Sequence, residues 1–358
     1  MIKQKQIQER ISVPHKHANK IIIRLPNYIG DSIMSTPAIQ LLLREYPKAK
    51  LTILCRKQTE DILINHPSVN KIIIDYSKSS SNRLTYTLSL IRKIRKEKYD
   101  LGILFQNNFI NALIFKLSRI NTIIGYRNES RRMLLDYHIK LDRSQHYINR
   151  YAQLINNFLA NKYPRLPQLQ IRNKSGNHLI NFQNKRPIIA LNLGNDTQQS
   201  RAYPSNHSLD LIKKLIHTEE FNLILIGDKN DALRAKHYNV LDNDQNGNLY
   251  NFTNKTSVSE YINLIKQSDL LITIDSSAMH IAAAVGTPFI TILGKSTSPF
   301  CTVKPKVDFG IYLKEERNLI DEEQFISQIA PEMILEQIQL ALNTNFNLIF
   351  EAQNSSLS

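Results

Sequence analysis

The sequence predicts an α/β protein built from two doubly wound domains, each a parallel sheet with helices on both faces. Three observations predict it. Short apolar runs of strand length alternate with longer helix-length segments along most of the chain. That rhythm runs twice, on either side of a polar stretch at Lys162–Gly176 that holds Pro164 and Pro167. The length, 358 residues, exceeds the ~250–300 at which a single core stops growing. The expected division is a disordered basic arm over 1–19, a first domain over 20–175, a second over 176–345 and a frayed tail over 346–358.

In the first domain Lys20–Leu25 reads as a strand. It enters the turn Pro26-Asn-Tyr-Ile-Gly30-Asp31, and a helix is expected over Ser32–Tyr46. Strand Leu51–Leu54, a short helix Thr59–Asn65 and strand Lys71–Asp75 follow. After the polar break Ser77–Asn82 come a basic helix Leu84–Lys98, strand Leu101–Phe105, helix Phe109–Ser118, a short strand Thr122–Ile124 and helix His146–Asn161. The second domain repeats the pattern. Its strands are Pro187–Leu193, Asn222–Ile226, Leu270–Thr273 and Phe289–Leu293. Its helices are Leu209–His217, Ala232–Tyr238, Val258–Ser268, Ala278–Val285 and a terminal region Gln324–Asn343. Asp242–Asn251 reads as a polar loop. In such sheets ligands bind beyond the carboxyl ends of the strands, where strand order reverses, so a cleft between two of them is the expected site.

Composition narrows the function. Residues 1–175 hold 31 Lys+Arg against 11 Asp+Glu, while the whole chain carries +15. All the excess positive charge therefore sits in the first half, which predicts a basic face for an anionic partner there. No run approaches the ~18–20 apolar residues of a membrane span. The first twenty residues lack the apolar core of a secretory signal. Two cysteines far apart, Cys55 and Cys301, form no disulfide framework; both are expected as buried hydrophobes in a reducing compartment. The basic segments carry no nucleic-acid motif and no interleaved stacking aromatics, so a nucleic-acid partner is not expected.

Four segments carry chemistry. Asn27-Tyr-Ile-Gly30-Asp31-Ser32 joins a strand to a helix; Asp31 there serves either as a helix cap or as a general base facing the cleft. Leu270-Leu-Ile-Thr-Ile-Asp275-Ser-Ser-Ala-Met-His280 runs a strand into a small-residue helix whose free N–H groups suit a phosphate. His280, one turn inside, is an ordinary place for a structural histidine. Asn192-Leu-Gly194-Asn-Asp-Thr-Gln-Gln-Ser-Arg201 ends a strand in a polar loop, either a plain connector or a phosphate clamp through Arg201. Gly294-Lys295-Ser-Thr-Ser-Pro299 is a fourth loop of this kind. Asp242-Asn-Asp244 has the spelling of a metal-holding pair but lies in a polar loop, so no metal is expected.

Together these segments resemble the ADP-heptose:lipopolysaccharide heptosyltransferases of glycosyltransferase family 9, over roughly residues 20–345. Asp275-Ser-Ser-Ala-Met-His280 is the most specific piece, and Gly125-Tyr-Arg127-Asn-Glu129 and Tyr28-Ile-Gly-Asp31 add to it. The resemblance implies the GT-B fold, two Rossmann-like domains facing across a cleft, and metal-independent, inverting transfer of heptose from ADP-heptose to the lipopolysaccharide inner core (Kdo or heptose acceptor), with no cofactor. It implies Asp31 as the base. Asn27, Gly30, Asn107, Arg127, Arg131 and Arg132 would meet the acceptor. Gly194, Arg201, Asp231, Thr256, Asp275, Ser276, Ser277, Met279, His280 and Gly294 would meet the donor, with Asp231 near the ribose and Thr256 beside the adenine. The family pattern has Lys at Arg201, Gly at Ser277, Pro at Lys295 and Pro at Leu193, so all four departures fall in the donor half. Alternatives are another nucleotide sugar, or a binding protein that retains the fold without catalysis. The basic helix Arg83–Lys98, with Leu84, Leu88, Ile91 and Ile94 away from its cations, reads as an interfacial element or as an ordinary solvated helix. A cytoplasmic monomer on the inner face of the inner membrane is the expected setting.

Overall fold

A computed structural model of the chain describes residues 17–128, 130–169, 171, 180, 182, 184–238, 248–295, 298–315 and 322–342. Most of the expected basic arm, the core of the linker, Glu129, Asp242–Asp244, Ser296, Thr297 and the expected frayed tail lie outside the described residues. The chain divides into two compact units, Met1–Arg172 and Asn173–Ser358.

Unit 1 holds strands β1 (Lys20–Arg24), β2 (Lys50–Cys55), β3 (Val69–Ile74), β4 (Leu101–Leu104), β5 (Thr122–Arg127) and β6 (Tyr137–Lys140). Their order is β3-β2-β1-β4-β5-β6, every neighbouring pair parallel. Its helices are α1 (Ile29–Met34), α2 (Thr36–Glu45), α3 (Arg83–Glu97), α4 (Phe109–Leu117) and α5 (Tyr147–Phe158). Ile21, Ile22 and Ile23 are all fully buried. Side chains on both faces of β1 are thus covered, as a central parallel strand requires. Each such side chain contributes roughly 1.5–3 kcal/mol. α2 buries Ala38, Ile39, Leu41 and Leu42 and packs on α5.

The helix expected over Ser32–Tyr46 is two helices. Pro37 has no N–H to give the Ile33 carbonyl, so the Thr36 hydroxyl donates to it instead at 2.8 Å. The chain bends at Ser35, and α1 becomes a separate turn-and-a-half that carries Asp31.

Unit 2 repeats the plan with β7 (Ile188–Asn192), β8 (Asn222–Leu225), β9 (Leu249–Asn251), β10 (Leu270–Ile274), β11 (Phe289–Ile292) and β12 (Gly310–Leu313), in the order β12-β11-β10-β7-β8-β9 and all parallel. Its helices are α6 (Ser205–Thr218), α7 (Lys229–His237), α8 (Val258–Gln267) and α9 (Ser277–Val285), with α10 over 331–342. The terminal helix expected from Gln324 is a 3-10 stretch, Glu322–Gln328, and then α10, which opens on Pro331. The segment Thr59–Asn65 is likewise a 3-10 stretch, Lys57–Ile62. Strands β6, β9 and β12 are additions to the expected set, and β9 takes the end of the supposed Asp242–Asn251 loop. Cys55 is buried, but Cys301 is exposed, against the expectation that both would be core residues.

Candidate active site

In unit 1 the strand order reverses between β1 and β4, and in unit 2 between β7 and β10. A crevice at the carboxyl ends of each pair is the place where such a sheet binds ligand. Asp31 follows β1, and Asn107 follows β4. Gly194 and Arg201 follow β7, and Asp275, Ser276 and Ser277 follow β10. The sequence motifs therefore converge on the two switch points, one per unit.

Asp31 lies in the first turn of α1, but it is not the helix cap. The cap position is Tyr28, extended and without a capping side chain. Burial raises the Asp31 carboxyl to about 6, and the Arg150 charge pulls the other way. An acid in a first turn is normally favoured as the anion. Here desolvation wins, because α1 is six residues long and Asp31 lies beside the buried Tyr151 of α5. Among the described residues no group hydrogen-bonds this carboxylate. Arg150 is held in place by its Nε–H to the Gln145 carbonyl at 2.7 Å and by stacking 3.9 Å over Tyr147.

The turn before Asp31 is fixed from below. Arg24, 1% exposed, donates from Nη2 to Asn27 Oδ1 and to Asp75 Oδ2, both at 3.1 Å. Arg56 adds a second cation to Asp75 at 3.7 Å. Gln58 donates to the Asn27 carbonyl at 2.6 Å, and Ser32 Oγ–H closes on the Pro26 carbonyl at 3.2 Å. Asn27 is thus held at both its amide oxygen and its carbonyl, and Gly30 is half-buried at the start of α1.

The other acceptor-side candidates separate. Arg127 and Arg132 are exposed. Arg131 is fully buried; burial pulls its guanidinium down to about 10. Its Nη1 donates to the Gln106 carbonyl and to Asn107 Oδ1, each at 3.0 Å, so the enclosed guanidinium fixes Asn107, against the expectation that Arg131 itself would meet the acceptor. Gly125 makes room for it: a Cβ there would stand 2.7 Å from Arg131 Nη2.

In unit 2 the loop 195–201 is a kinked 3-10 stretch capped by Asn195. Arg234, 4% exposed, grips both ends of the segment. It donates to the Gly194 carbonyl at 2.8 Å, to the Tyr203 carbonyl, and to Ser205 Oγ at 3.2 Å. Asp231 joins the same frame. It accepts from Asn195 Nδ2 at 2.9 Å and from the Asp228 N–H at 2.7 Å, and burial raises it above the usual carboxylate value. A cavity under this loop is lined by Leu193, Gly194, Ile226, Asp231, Arg234 and Thr253. Arg201, half-buried at the end of the loop, makes no ion pair among the described residues.

Gly294, after β11, packs against that loop. A Cβ on it would lie 2.3 Å from the Ser200 carbonyl oxygen and 3.4 Å from Arg201 Cα. Ser276 caps α9, accepting from the Ala278 N–H at 3.2 Å, and lies within 3.3 Å of Asn192 Oδ1. Asp275 and Ser277 flank it, half-buried. Met279 and His280 are buried within α9. Thr256 is half-buried just before the cap of α8.

Gly194 cannot be replaced without moving this frame. Its φ is +79°, and a Cβ would meet Gln198 Oε1 at 2.5 Å and Ile274 Cδ1 at 2.7 Å. Gly194→Ala is expected to destabilise the protein by ~1–3 kcal/mol and to weaken nucleotide binding, read by thermal denaturation with and without ADP. An unchanged melting curve would refute the loop frame.

The model of glycosyltransferase family 9 (heptosyltransferase) matches residues 87–340. The chain belongs to glycosyltransferase family 9. Within the family it is 25% identical over 299 residues to the lipopolysaccharide heptosyltransferase 2 of Escherichia coli K12, covering 78% of this chain and 84% of that protein. The solved ADP-heptose heptosyltransferase II of E. coli superposes with a TM-score of 0.78 at 23% identity, covering 91% of this chain and 99% of the other. An E. coli heptosyltransferase solved with ADP-2-deoxy-2-fluoro heptose superposes at 0.70 and 16% identity, covering 89% and 99%. The fold is thus GT-B, each of its two α/β units carrying a six-stranded parallel sheet. As a family 9 glycosyltransferase the chain is an enzyme.

Arg150, Arg24, Arg131 and Arg234 organise the two crevices. Sequence reasoning placed only Arg131 near a site, and as a ligand contact. The signal for the others is faint: an arginine at the end of a strand, or one amid a helix's apolar positions.

Proposed function

We propose that this enzyme moves heptose from ADP-heptose to the inner core of lipopolysaccharide, with a Kdo or heptose hydroxyl as acceptor and inversion at the anomeric carbon. The observation that carries this is the desolvated Asp31 carboxylate at the unit 1 switch point, raised to about 6 and accepting no hydrogen bond among the described residues. The acceptor hydroxyl gives its proton to Asp31 while its oxygen attacks the anomeric carbon. The bond from that carbon to the diphosphate breaks, and ADP departs.

The negative charge that develops on the leaving diphosphate is met by Arg201 and by the open N–H groups of α9 after Ser276, donors fixed before reaction begins. In this reading unit 2 holds the donor, and Asn107 with the exposed Arg127 and Arg132 receives the anionic acceptor. Metal-independent chemistry belongs to this assignment of charge, and a monomer working at the cytoplasmic face of the inner membrane is part of the same proposal. Among the described residues no helix is long and apolar enough to cross a membrane.

Incubation with ADP-heptose and truncated lipopolysaccharide acceptors tests the reading by mass spectrometry. The expected result is a gain of one heptose, undiminished by a chelator and of inverted configuration by NMR. A hexose gained from another donor would replace the substrate. Donor binding without transfer to any core acceptor would refute catalysis.

A further inference from the structure

Unit 1 leaves several large apolar side chains in solvent at one end of its sheet. All six strands are parallel, so the segment after each strand and the first turns of the helix that follows lie at the carboxyl end. Tyr76 follows β3, Leu84 and Leu88 open α3, Phe109 and Ile110 open α4, and Met133 follows β5. Leu84 is 79% exposed and Met133 90%. Single exposed leucines need no explanation, but a set at one end does. The elements adjoin: α3 packs on α4, and α4 on the turn 132–134. Asp31 lies at this same end.

The basic helix is arranged differently from the sequence expectation. Leu90, Ile91 and Ile94 take its buried face. Leu84 and Leu88 are exposed and, by steps of four and three, share a face with Arg92 and Arg95. Arg92 lies ~6 Å and Arg95 ~10 Å along the axis from Leu88. The polar zone on each side of a bilayer core is ~5–8 Å thick. With Leu88 seated at the acyl boundary and α3 steep to the surface, Arg92 would lie among the headgroups and Arg95 at their outer edge.

We propose that this end of unit 1 docks on an anionic lipid bilayer. Leu84, Leu88, Phe109, Ile110 and Met133 enter the interface, and Arg92 and Arg95 meet lipid phosphates. The proposal rests on the reading of the acceptor as a lipid-anchored core, and deepens it by naming the surface through which the enzyme reaches that core. Charge complementarity selects a bilayer: the apolar set is accompanied by cations, in a half-chain with 31 Lys+Arg against 11 Asp+Glu.

The chain contains no tryptophan, so Leu84→Trp and Met133→Trp each give a reporter of depth at one site. Vesicles of phosphatidylcholine, with and without about one third phosphatidylglycerol, are the probe. On the anionic vesicles both reporters are expected to shift their emission to the blue and to be quenched by brominated acyl chains. The pair Leu84→Ser with Leu88→Ser is expected to weaken vesicle binding roughly tenfold at low and at high salt, while transfer to a deacylated, soluble acceptor stays at the wild-type rate. Reporters that keep a water-like emission on bound vesicles would overturn the proposal, as would serine variants that bind like the wild type. Vesicle binding is read without acceptor. A failure of sugar transfer would thus refute the catalytic reading and leave the docking surface to be judged on the emission alone.

Discussion

Asp31→Asn is expected to lower kcat by ~10²–10⁴-fold, the usual cost of losing a general base, and to leave donor affinity unchanged. The substitution is nearly isosteric, and the carboxylate it removes accepts no hydrogen bond among the described residues, so α1 should persist. The same variant is expected to be more stable at neutral pH. The native carboxyl titrates near 6, above its ordinary 3.8. The folded state therefore binds more protons than the unfolded one between those values, and stability falls as pH rises from 3.8 to 6. Above 6 the full penalty of a desolvated anion is present, about 1–3 kcal/mol, and Asn does not carry it. Urea denaturation at neutral pH, beside turnover and ADP-heptose titration, reads all three quantities. A variant that is both inactive and less stable would mean that Asp31 serves the fold.

Arg201→Ala is expected to cost ~10²–10³-fold in kcat, as losing one fixed donor to a developing anion does. Three features support Arg201 as the proposed partner of the leaving diphosphate. It ends the loop whose termini Arg234 holds, it makes no ion pair among the described residues, and its Cα lies where Gly294 permits close approach. Gln199, two residues earlier, sits at φ 50° and ψ −126°, a strained conformation for a residue with a side chain. Such strain persists only where the surroundings over-determine it. Arg201→Lys is expected to recover part of the loss, since an ammonium supplies charge without the planar fork. Single-turnover rates at saturating donor separate this from a loss of affinity. Equal rates in the Ala and wild-type enzymes would move the leaving-group charge elsewhere.

The central strands were legible because burial on both faces leaves an uninterrupted apolar run, as at Ile21–Ile23 and Leu270–Ile274. The edge strands β6, β9 and β12 were not. They are three or four residues long and mostly half-buried, so Tyr137-His-Ile-Lys140 reads like any loop. Pro37 was visible, but its consequence depended on Thr36 replacing the lost N–H bond. Motif positions at strand ends were legible too, since strand–turn–helix punctuation places Asp31, Gly194 and Asp275 without coordinates. The supporting arginines were hidden because their partners are remote in sequence: Arg24 with Asp75, and Arg131 with Gln106 and Asn107. The expectation that Arg131 meets the acceptor fails for the same reason, since its side chain is fully enclosed.

The pH dependence of kcat/KM for heptose transfer, from about pH 5 to 8, tests the central claim most directly. A proton-accepting Asp31 predicts an ascending limb with its midpoint near 6, lost in Asp31→Asn. A profile that is flat across that interval, or a limb that survives the substitution, would contradict it.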